Sequence, residues 1–389
     1  GEKCPVDGVL EYRGYNICDL LEGCIAEGRF GFEECAFLLF MGHLPTRWEL
    51  QEFADVLAML RHLPPRFTED IIMKAPSRSI MNKLEVAVLS LYAYDDNPDD
   101  TSLENMMRQS MELVARLPVI AGQAYAVYRN TFFNKSLNLH NPRDGLSTAE
   151  NFLRILRPDK SYTPEEAHLL DLCLIIHAEH GGGNASTFAT RVLSSTGTDT
   201  YSAIAAGIGA LKGPLHGGAN IKVQEMFDCV KANVRDPHND DELSDFLLRI
   251  LKGKANDGSG LIYGMGHAVY TKSDPRAVML KRYARQLAQD KGYGEDFELL
   301  ESIERLTPEV FNTYKGKHHD ICANVDLYSG LVYRMLGIPT EMYTPLFTIA
   351  RTAGWCAHRM EEILSSGKIM RPGYKCIERE RPYTELTRR

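Results

Sequence analysis

Three short polar islands in the second half of the chain each set one titratable side chain among small, permissive neighbours. They are Gly213-Pro214-Leu215-His216-Gly217-Gly218-Ala219-Asn220, then Gly264-Met265-Gly266-His267, then Asn324-Val325-Asp326. Two imidazoles and a carboxylate can move a proton at a carbon beside a carbonyl and hold the charge that builds on its oxygen. A fourth island, His177-Ala178-Glu179-His180-Gly181-Gly182-Gly183-Asn184, adds two more imidazoles.

His216 precedes a helix expected to begin near Asn220. The partial positive charge of a helix N-terminus disfavours imidazolium, so a neutral His216 would donate a hydrogen bond to a developing oxyanion. His267 follows a Gly-x-Gly turn whose backbone N–H groups are free to face a ligand. No third glycine or preceding strand makes that turn a dinucleotide fingerprint. Arg276, in Ser273-Asp274-Pro275-Arg276, and Arg351, among Phe347, Ile349, Ala353 and Trp355, have the planar fork that clamps a carboxylate. Arg351 in so apolar a setting requires an anionic partner, from a ligand or from within the chain. Asp326 has a plain alternative reading as the N-cap of the helix it opens.

Other chemistries fit less well. His177 and His180 could be two ligands on one helix face, with His318-His319-Asp320 as further donors. Glu179 is not placed as in His-Glu-x-x-His, and no metal is expected. His180-Gly181-Gly182-Gly183 resembles a lipase oxyanion loop, yet no Gly-x-Ser-x-Gly elbow accompanies it.

The elements that must hold these groups are helical. Thr101-x-x-Glu104, Ser147-x-x-Glu150 and Thr163-Pro164-Glu165-Glu166 read as capped helix starts, the last with Pro at the first helical position. Thr307-Pro308 and Thr344-Pro345 repeat that pattern. The helix after Thr163 is apolar on nearly every side, so it is expected to be buried; Gly181-Gly182-Gly183 ends it, placing His177 and His180 one turn apart. Ala203–Ala210 is built of small residues for close helix contact. A hairpin is expected near Gly8–Ile17. The glycine-rich turns at 213–218 and 253–266 bracket a charged helical segment suited to a mobile lobe.

Bulk properties bound the rest. A chain of 389 residues, 44% apolar and 25% charged, is long enough for two lobes. A net charge of −8 argues against nucleic acid as a partner. Nine scattered cysteines without a Cys-x-x-Cys pair fit a reducing, cytoplasmic compartment. No apolar stretch reaches membrane-spanning length, and no secretory signal pattern is visible after Gly1-Glu2-Lys3.

Taken in order, the islands resemble the citrate synthase family. Leu10-Glu11-Tyr12-Arg13-Gly14-Tyr15-Asn16-Ile17 is similar to its N-terminal signature, Leu44-Pro45-Thr46 follows, and the blocks around His180, His216, His267, Asp326 and Arg351 come at family-like separations. The resemblance implies an all-α homodimer. Residues 1–217 and 338–389 would form a large helical domain and residues 218–337 a smaller inserted one. It implies condensation of acetyl-CoA with oxaloacetate to citrate, as in the tricarboxylic acid cycle, with coenzyme A thioester as substrate and no tightly bound cofactor. His216 would polarise the thioester carbonyl, Asp326 would remove the methyl proton, and His267 would bind and protonate the keto group. His180, Arg276 and Arg351 would hold oxaloacetate. Arg371 would reach the neighbouring subunit's site, and Tyr263-Gly264-Met265-Gly266 would contact coenzyme A. Ser79-Ile80-Met81, Gly181 and Ala268 depart from common family residues, and 2-methylcitrate synthases share every catalytic block. Propionyl-CoA is therefore the alternative acyl donor. A metal-dependent hydrolase and a catalytically dead, metabolite-binding dimer are more remote.

Overall fold

The computed structural model describes residues 6–365 and 367–389. Its strands, among the described residues, are the expected hairpin: β1 (Glu11–Tyr12) pairs antiparallel with β2 (Tyr15–Asn16), Tyr12 opposite Tyr15. Arg13 (φ 52°) and Gly14 (φ 84°) make the left-handed turn that matches strand twist. The other regular elements among the described residues are helices. Helices α1 (Ile17–Ala26), α2 (Phe32–Met41), α3 (Arg47–Leu60), α4 (Ile80–Leu91), α5 (Leu103–Phe133), α6 (Thr148–Leu156), α7 (Pro164–His177), α8 (Ala185–Ser194) and α9 (Thr200–Leu211) precede the His216 island. Helices α10 (Ala219–Asn233), α11 (Asp240–Leu251), α12 (Pro275–Asp290), α13 (Gly294–Lys315) and α14 (Val325–Met335) follow it, and α15 (Tyr343–Ser365) closes the helical body.

The caps explain most of these boundaries. Ser147 and Thr163 form complete capping boxes with Glu150 and Glu166, and Pro164 opens α7. Three expectations need correction. Ser102 rather than Thr101 caps α5, accepting the N–H of Asn105, three residues on. Thr307-Pro308 lies inside α13, where the Thr307 hydroxyl bonds back to Ile303 O and Pro308 is absorbed without ending the helix. Thr344-Pro345 falls within the first turn of α15, and the Thr344 hydroxyl donates to Gly217 O at 2.8 Å instead of capping. Pro at that position costs nothing, since first-turn N–H groups lack helical acceptors.

α15 is the axis of the larger group of helices and packs on α2, α5, α7, α8 and α9. Trp355, Arg351 and Arg359 on it are wholly buried. α9 supplies the close contact its small residues foretell: a Cβ on Gly207 would lie 2.6 Å from Thr190 Oγ1 and 3.1 Å from the Trp355 ring. α7 is buried from Glu166 to His177 apart from the half-buried His168, as its composition requires. α10 to α14 pack mainly on one another, through the α11–α13, α12–α14 and α10–α14 pairs, with α12 also lying on α7 and α1. No helix among the described residues is long and apolar enough to cross a membrane.

Candidate active site

Asp326, His216, His267, His180, Arg276 and Arg351 all line one cleft of about 490 Å³. They come from five separate stretches of chain, and all but His267, which lies in the loop before α12, are set near a helix end or on a helix face.

Asp326 follows Asn324 and Val325 at the start of α14. Asn324, rather than Asp326, caps that helix: its side-chain oxygen accepts the N–H of Asp326 at 3.0 Å. The reading of Asp326 as a cap is therefore replaced, and its carboxyl is left for the cleft. Burial pushes the Asp326 pKa up to about 6, against the opposing pull of Arg276 and Arg351. A carboxylate so tuned is ionised at neutral pH yet more basic than a solvated aspartate.

His216 is held neutral by an unexpected helix. Its ring accepts at Nε2 from the backbone N–H of Ser186 at 3.2 Å. Ser186 lies in the first turn of α8, so the unsatisfied donors there, rather than those of α10, orient the imidazole. The Ser186 hydroxyl, 2.9 Å from Nε2, accepts in turn from Trp355 Nε1 at 3.3 Å. With Nε2 accepting, the proton of the neutral ring sits on Nδ1. Burial and the charge of Arg351 both lower the His216 pKa.

His267 has the opposite tautomer. Its Nδ1 accepts from the N–H groups of Val269 and Tyr270 at 3.0 and 3.1 Å, which places the proton on Nε2. Its ring stacks on Tyr270 at 4.7 Å and meets His180 edge to face at 5.1 Å. Burial, then Arg276, lowers its pKa. His180 lies beyond the end of α7 rather than on it, in the turn before α8. Burial and the nearby Arg276 and Arg351 drop its pKa to about 3, and its buried Nε2 bonds to no described residue.

The two arginines differ. Arg276 is 4% exposed and forks onto Asp274, with Nε–Oδ1 at 3.0 Å and Nη2–Oδ2 at 2.7 Å. Arg351 is 2% exposed, lies over the Phe347 ring at 4.8 Å, and donates from Nε to His177 O at 2.6 Å. Arg351 makes no salt bridge with any described residue. A buried guanidinium without a carboxylate is costly unless an anion arrives.

The 263–266 turn flanks the cleft without lining it. Gly264 (φ 83°) and Gly266 (φ 92°) require glycine, and a Cβ on Gly264 would come 2.9 Å from Leu327 Cα. The turn is laced to the Asp326 segment: Asn324 N–H donates to Gly264 O at 2.9 Å, Asn324 Nδ2 to Gly266 O at 2.8 Å, and Gly266 N–H to Cys322 O at 2.7 Å. The Tyr263 hydroxyl is tied to Asp257 at 2.7 Å. Arg371 lies in the extended, exposed tail after α15 and is not brought to the cleft of its own chain. No group of three or more His, Cys, Asp or Glu side chains among the described residues is arranged to hold a metal ion.

Four further residues shape the site: Ser186, Trp355, Asn184 and Phe347. Ser186 and Trp355 carry no such signal in sequence, since Ser186 meets His216 across 30 residues and Trp355 meets Ser186 across 169. Asn184, the cap of α8, is legible as the polar end of the His180 island.

An all-α body around a cleft lined by imidazoles, guanidiniums and a carboxylate is the setting of a candidate acid–base enzyme, and comparison with known proteins identifies its family. The sequence profile described as "Citrate synthase, C-terminal domain" matches residues 2–373. The chain is 36% identical to a citrate synthase of Synechocystis sp. over 94% of this chain and 84% of that one. It is 33% identical to 2-methylcitrate synthase 1 of Corynebacterium glutamicum over 99% and 93%. Among solved structures, citrate synthase from Pyrobaculum aerophilum superposes with a TM-score of 0.79 at 31% identity, covering 98% of this chain and 90% of that one. Citrate synthase from Thermoplasma acidophilum, in ternary complex with carboxymethyl coenzyme A and oxaloacetate, superposes with a TM-score of 0.81 at 29% identity, covering 98% and 93%. The chain belongs to the citrate synthase family, and it is an enzyme of that type.

Proposed function

We propose that the protein condenses acetyl-CoA with oxaloacetate and water to give citrate and free coenzyme A, with no tightly bound cofactor. The observation that carries this reading is one cleft holding a pKa-raised Asp326 whose carboxyl bonds to no described residue, two neutral imidazoles of opposite tautomer, and an Arg351 in no salt bridge with any described residue.

Arg351 and the Nη1 side of Arg276 hold the carboxylates of oxaloacetate, and His180 stands beside them. Asp326 takes a proton from the acyl methyl while Nδ1–H of His216 donates to the thioester oxygen, so enolate charge forms against a fixed donor. The enol carbon attacks the keto carbon. The electron pair of that carbonyl moves to its oxygen, which receives the proton of His267 Nε2. Water then adds to the thioester carbonyl and the C–S bond breaks; one water proton restores Nε2 of His267, the thiolate takes the proton held by Asp326 and leaves as free thiol, and the new carboxyl group ionises. Each positioned proton-transfer group contributes about 10²–10⁴-fold, and fixing two substrates face to face supplies much of the remainder.

Closure of a smaller lobe, residues 218–337, over the larger would exclude water until oxaloacetate is in place. The self-contained packing of α10 to α14 supports that role. The 263–266 turn, laced to the Asp326 segment, would seat coenzyme A. A homodimer follows from the same reading: the exposed tail carries Arg371 beside Tyr374 and Ile377, 94% and 89% exposed, surfaces a second copy would cover.

The similarity to a 2-methylcitrate synthase makes propionyl-CoA the competing donor. One methylene is worth about 1–3 kcal/mol of discrimination. Comparing kcat/KM for the two thioesters, with mass analysis of the product, decides between them: a higher value for propionyl-CoA replaces acetyl-CoA as the substrate.

A further inference from the structure

The turn that carries His180 has a second side, facing away from the cleft. There Glu179, 8% exposed, lies in a separate cavity of about 200 Å³ with His358 and Gly181. Oε1 of Glu179 accepts the Gly181 N–H and meets Nε2 of His358 at 2.9 Å. Oε2 is buried and bonds to no described residue. The Glu179 backbone is pinned as well, its N–H donating to the Tyr12 hydroxyl at 3.2 Å.

α15 is shaped around this carboxylate. Arg351, Gly354 and His358 lie three and four residues apart, on one face of the helix. A Cβ on Gly354 would overlap both Glu179 Oε2 and Ala178 O, so glycine opens the notch into which the acid fits. Above the notch is Arg351, which enters the cleft; below it is His358. His358 also lies close to the glycine run, with Arg191: a Cβ on Gly182 would stand 3.0 Å from Arg191 Nη1 and 3.3 Å from His358 Cε1.

We infer that Glu179 is a positioning residue for the dicarboxylate half of the site, fastening the His180 turn to α15 with His358 as the second anchor. The inference rests on the proposed oxaloacetate site. Neither residue lines the cleft, so each acts through the residues it holds. Gly181 has φ of +78°, and Glu179 is the acceptor that holds its N–H in that unusual conformation. Burial alone would raise the Glu179 pKa, but His358, Arg351 and the Gly181 N–H outweigh it and keep the carboxylate ionised. Loss of the acceptor frees the turn, and His180 and Asn184 lose their places opposite Arg351.

The test measures oxaloacetate binding by calorimetry without any thioester, beside the steady-state KM of both substrates. Glu179→Ala is expected to weaken oxaloacetate binding about tenfold or more, the worth of a charge-assisted hydrogen bond. The acyl-CoA KM should stay within about twofold. Glu179→Gln retains an acceptor for Gly181 and should recover most of the affinity. His358→Gln should resemble the wild type and His358→Leu should resemble Glu179→Ala; because His358 is only partly buried, this pair decides the matter even if Glu179→Ala does not fold. Unchanged oxaloacetate affinity in folded Glu179→Ala, or Gln variants no better than Ala and Leu, overturns the inference. Wild-type protein that neither binds oxaloacetate nor releases thiol overturns the proposed function instead, so the two failures are told apart.

Discussion

The side chain of Asn324 accepts the backbone N–H of Asp326 at 3.0 Å. That bond gives the capping duty of α14 to one residue and leaves the other's carboxyl to the cleft, where the proposed mechanism uses it as base. Asp326→Asn is thus expected to lower turnover about 10³-fold or more without loss of fold. Asn324→Ala is expected to cost about 1 kcal/mol of stability. Turnover together with denaturant unfolding separates the two; an Asp326→Asn enzyme with wild-type turnover removes the base from the mechanism.

The same carboxyl sets a pH dependence. Its folded pKa of about 6 lies above the value of about 3.9 for an unfolded aspartate. Folding therefore favours the protonated form, and this contribution to stability is complete below pH ~4 and lost as pH rises through ~6. Asp326→Asn should unfold at higher denaturant than the wild type at pH 8, by about 2 kcal/mol, with the difference vanishing near pH 4. The wild-type rate should fall as pH drops through ~6. A rate independent of pH between 5 and 8 would contradict both.

Arg351 makes no salt bridge with any described residue and its guanidinium lies over the Phe347 ring, so Arg351→Leu should fold. Its oxaloacetate KM should rise about a hundredfold, with the acyl-CoA KM little changed, if Arg351 is the proposed charge-assisted clamp on a carboxylate. Steady-state kinetics varying each substrate in turn measures this, and equal changes in both constants would place Arg351 elsewhere.

Gly264 approaches α14 so closely that any Cβ strikes Leu327, and its φ is positive. Gly264→Ala should separate the 263–266 turn from the Asp326 segment, costing about 1–3 kcal/mol and weakening acyl-CoA binding. Unaltered stability and acyl-CoA KM would show that the turn adapts.

Glu166, 4% exposed at the start of α7, pairs with Arg157 at 2.5 Å and with Lys291 at the end of α12, while Arg157 reaches Leu336 O beyond α14. It therefore ties α7 to the α10–α14 group. Burial would raise its pKa, but the two cations hold it down to about 2. This contribution is present above pH ~4.3 and lost as pH falls towards 2. Glu166→Gln should lose on the order of 2 kcal/mol at pH 7 and almost nothing at pH 2, read by denaturant unfolding. Equal losses at both pH values would assign the effect to packing.

Much of this arrangement is legible in the residues themselves. Ser147 and Thr163 announce their helices because a capping box is local, needing only a residue and its third neighbour. The apolar run of α7 and the small residues of α9 report burial for the same reason. Thr307-Pro308 misleads because α13 continues through the proline, an outcome that tertiary packing decides. The order of the His216, His267 and Asp326 islands points to the cleft. The tautomers are not visible, since they depend on Ser186, Val269 and Tyr270 backbone donors brought in by folding. The Glu179–His358 pair, 179 residues apart, is invisible for the same reason.

The most direct measurement follows free thiol when purified protein is mixed with oxaloacetate and acetyl-CoA or propionyl-CoA. The expected result is thiol release that requires both oxaloacetate and a thioester and disappears in Asp326→Asn. Thiol release at the same rate without oxaloacetate, or none with either thioester, would contradict the assignment of His216, His267 and Asp326 to one bond-forming centre.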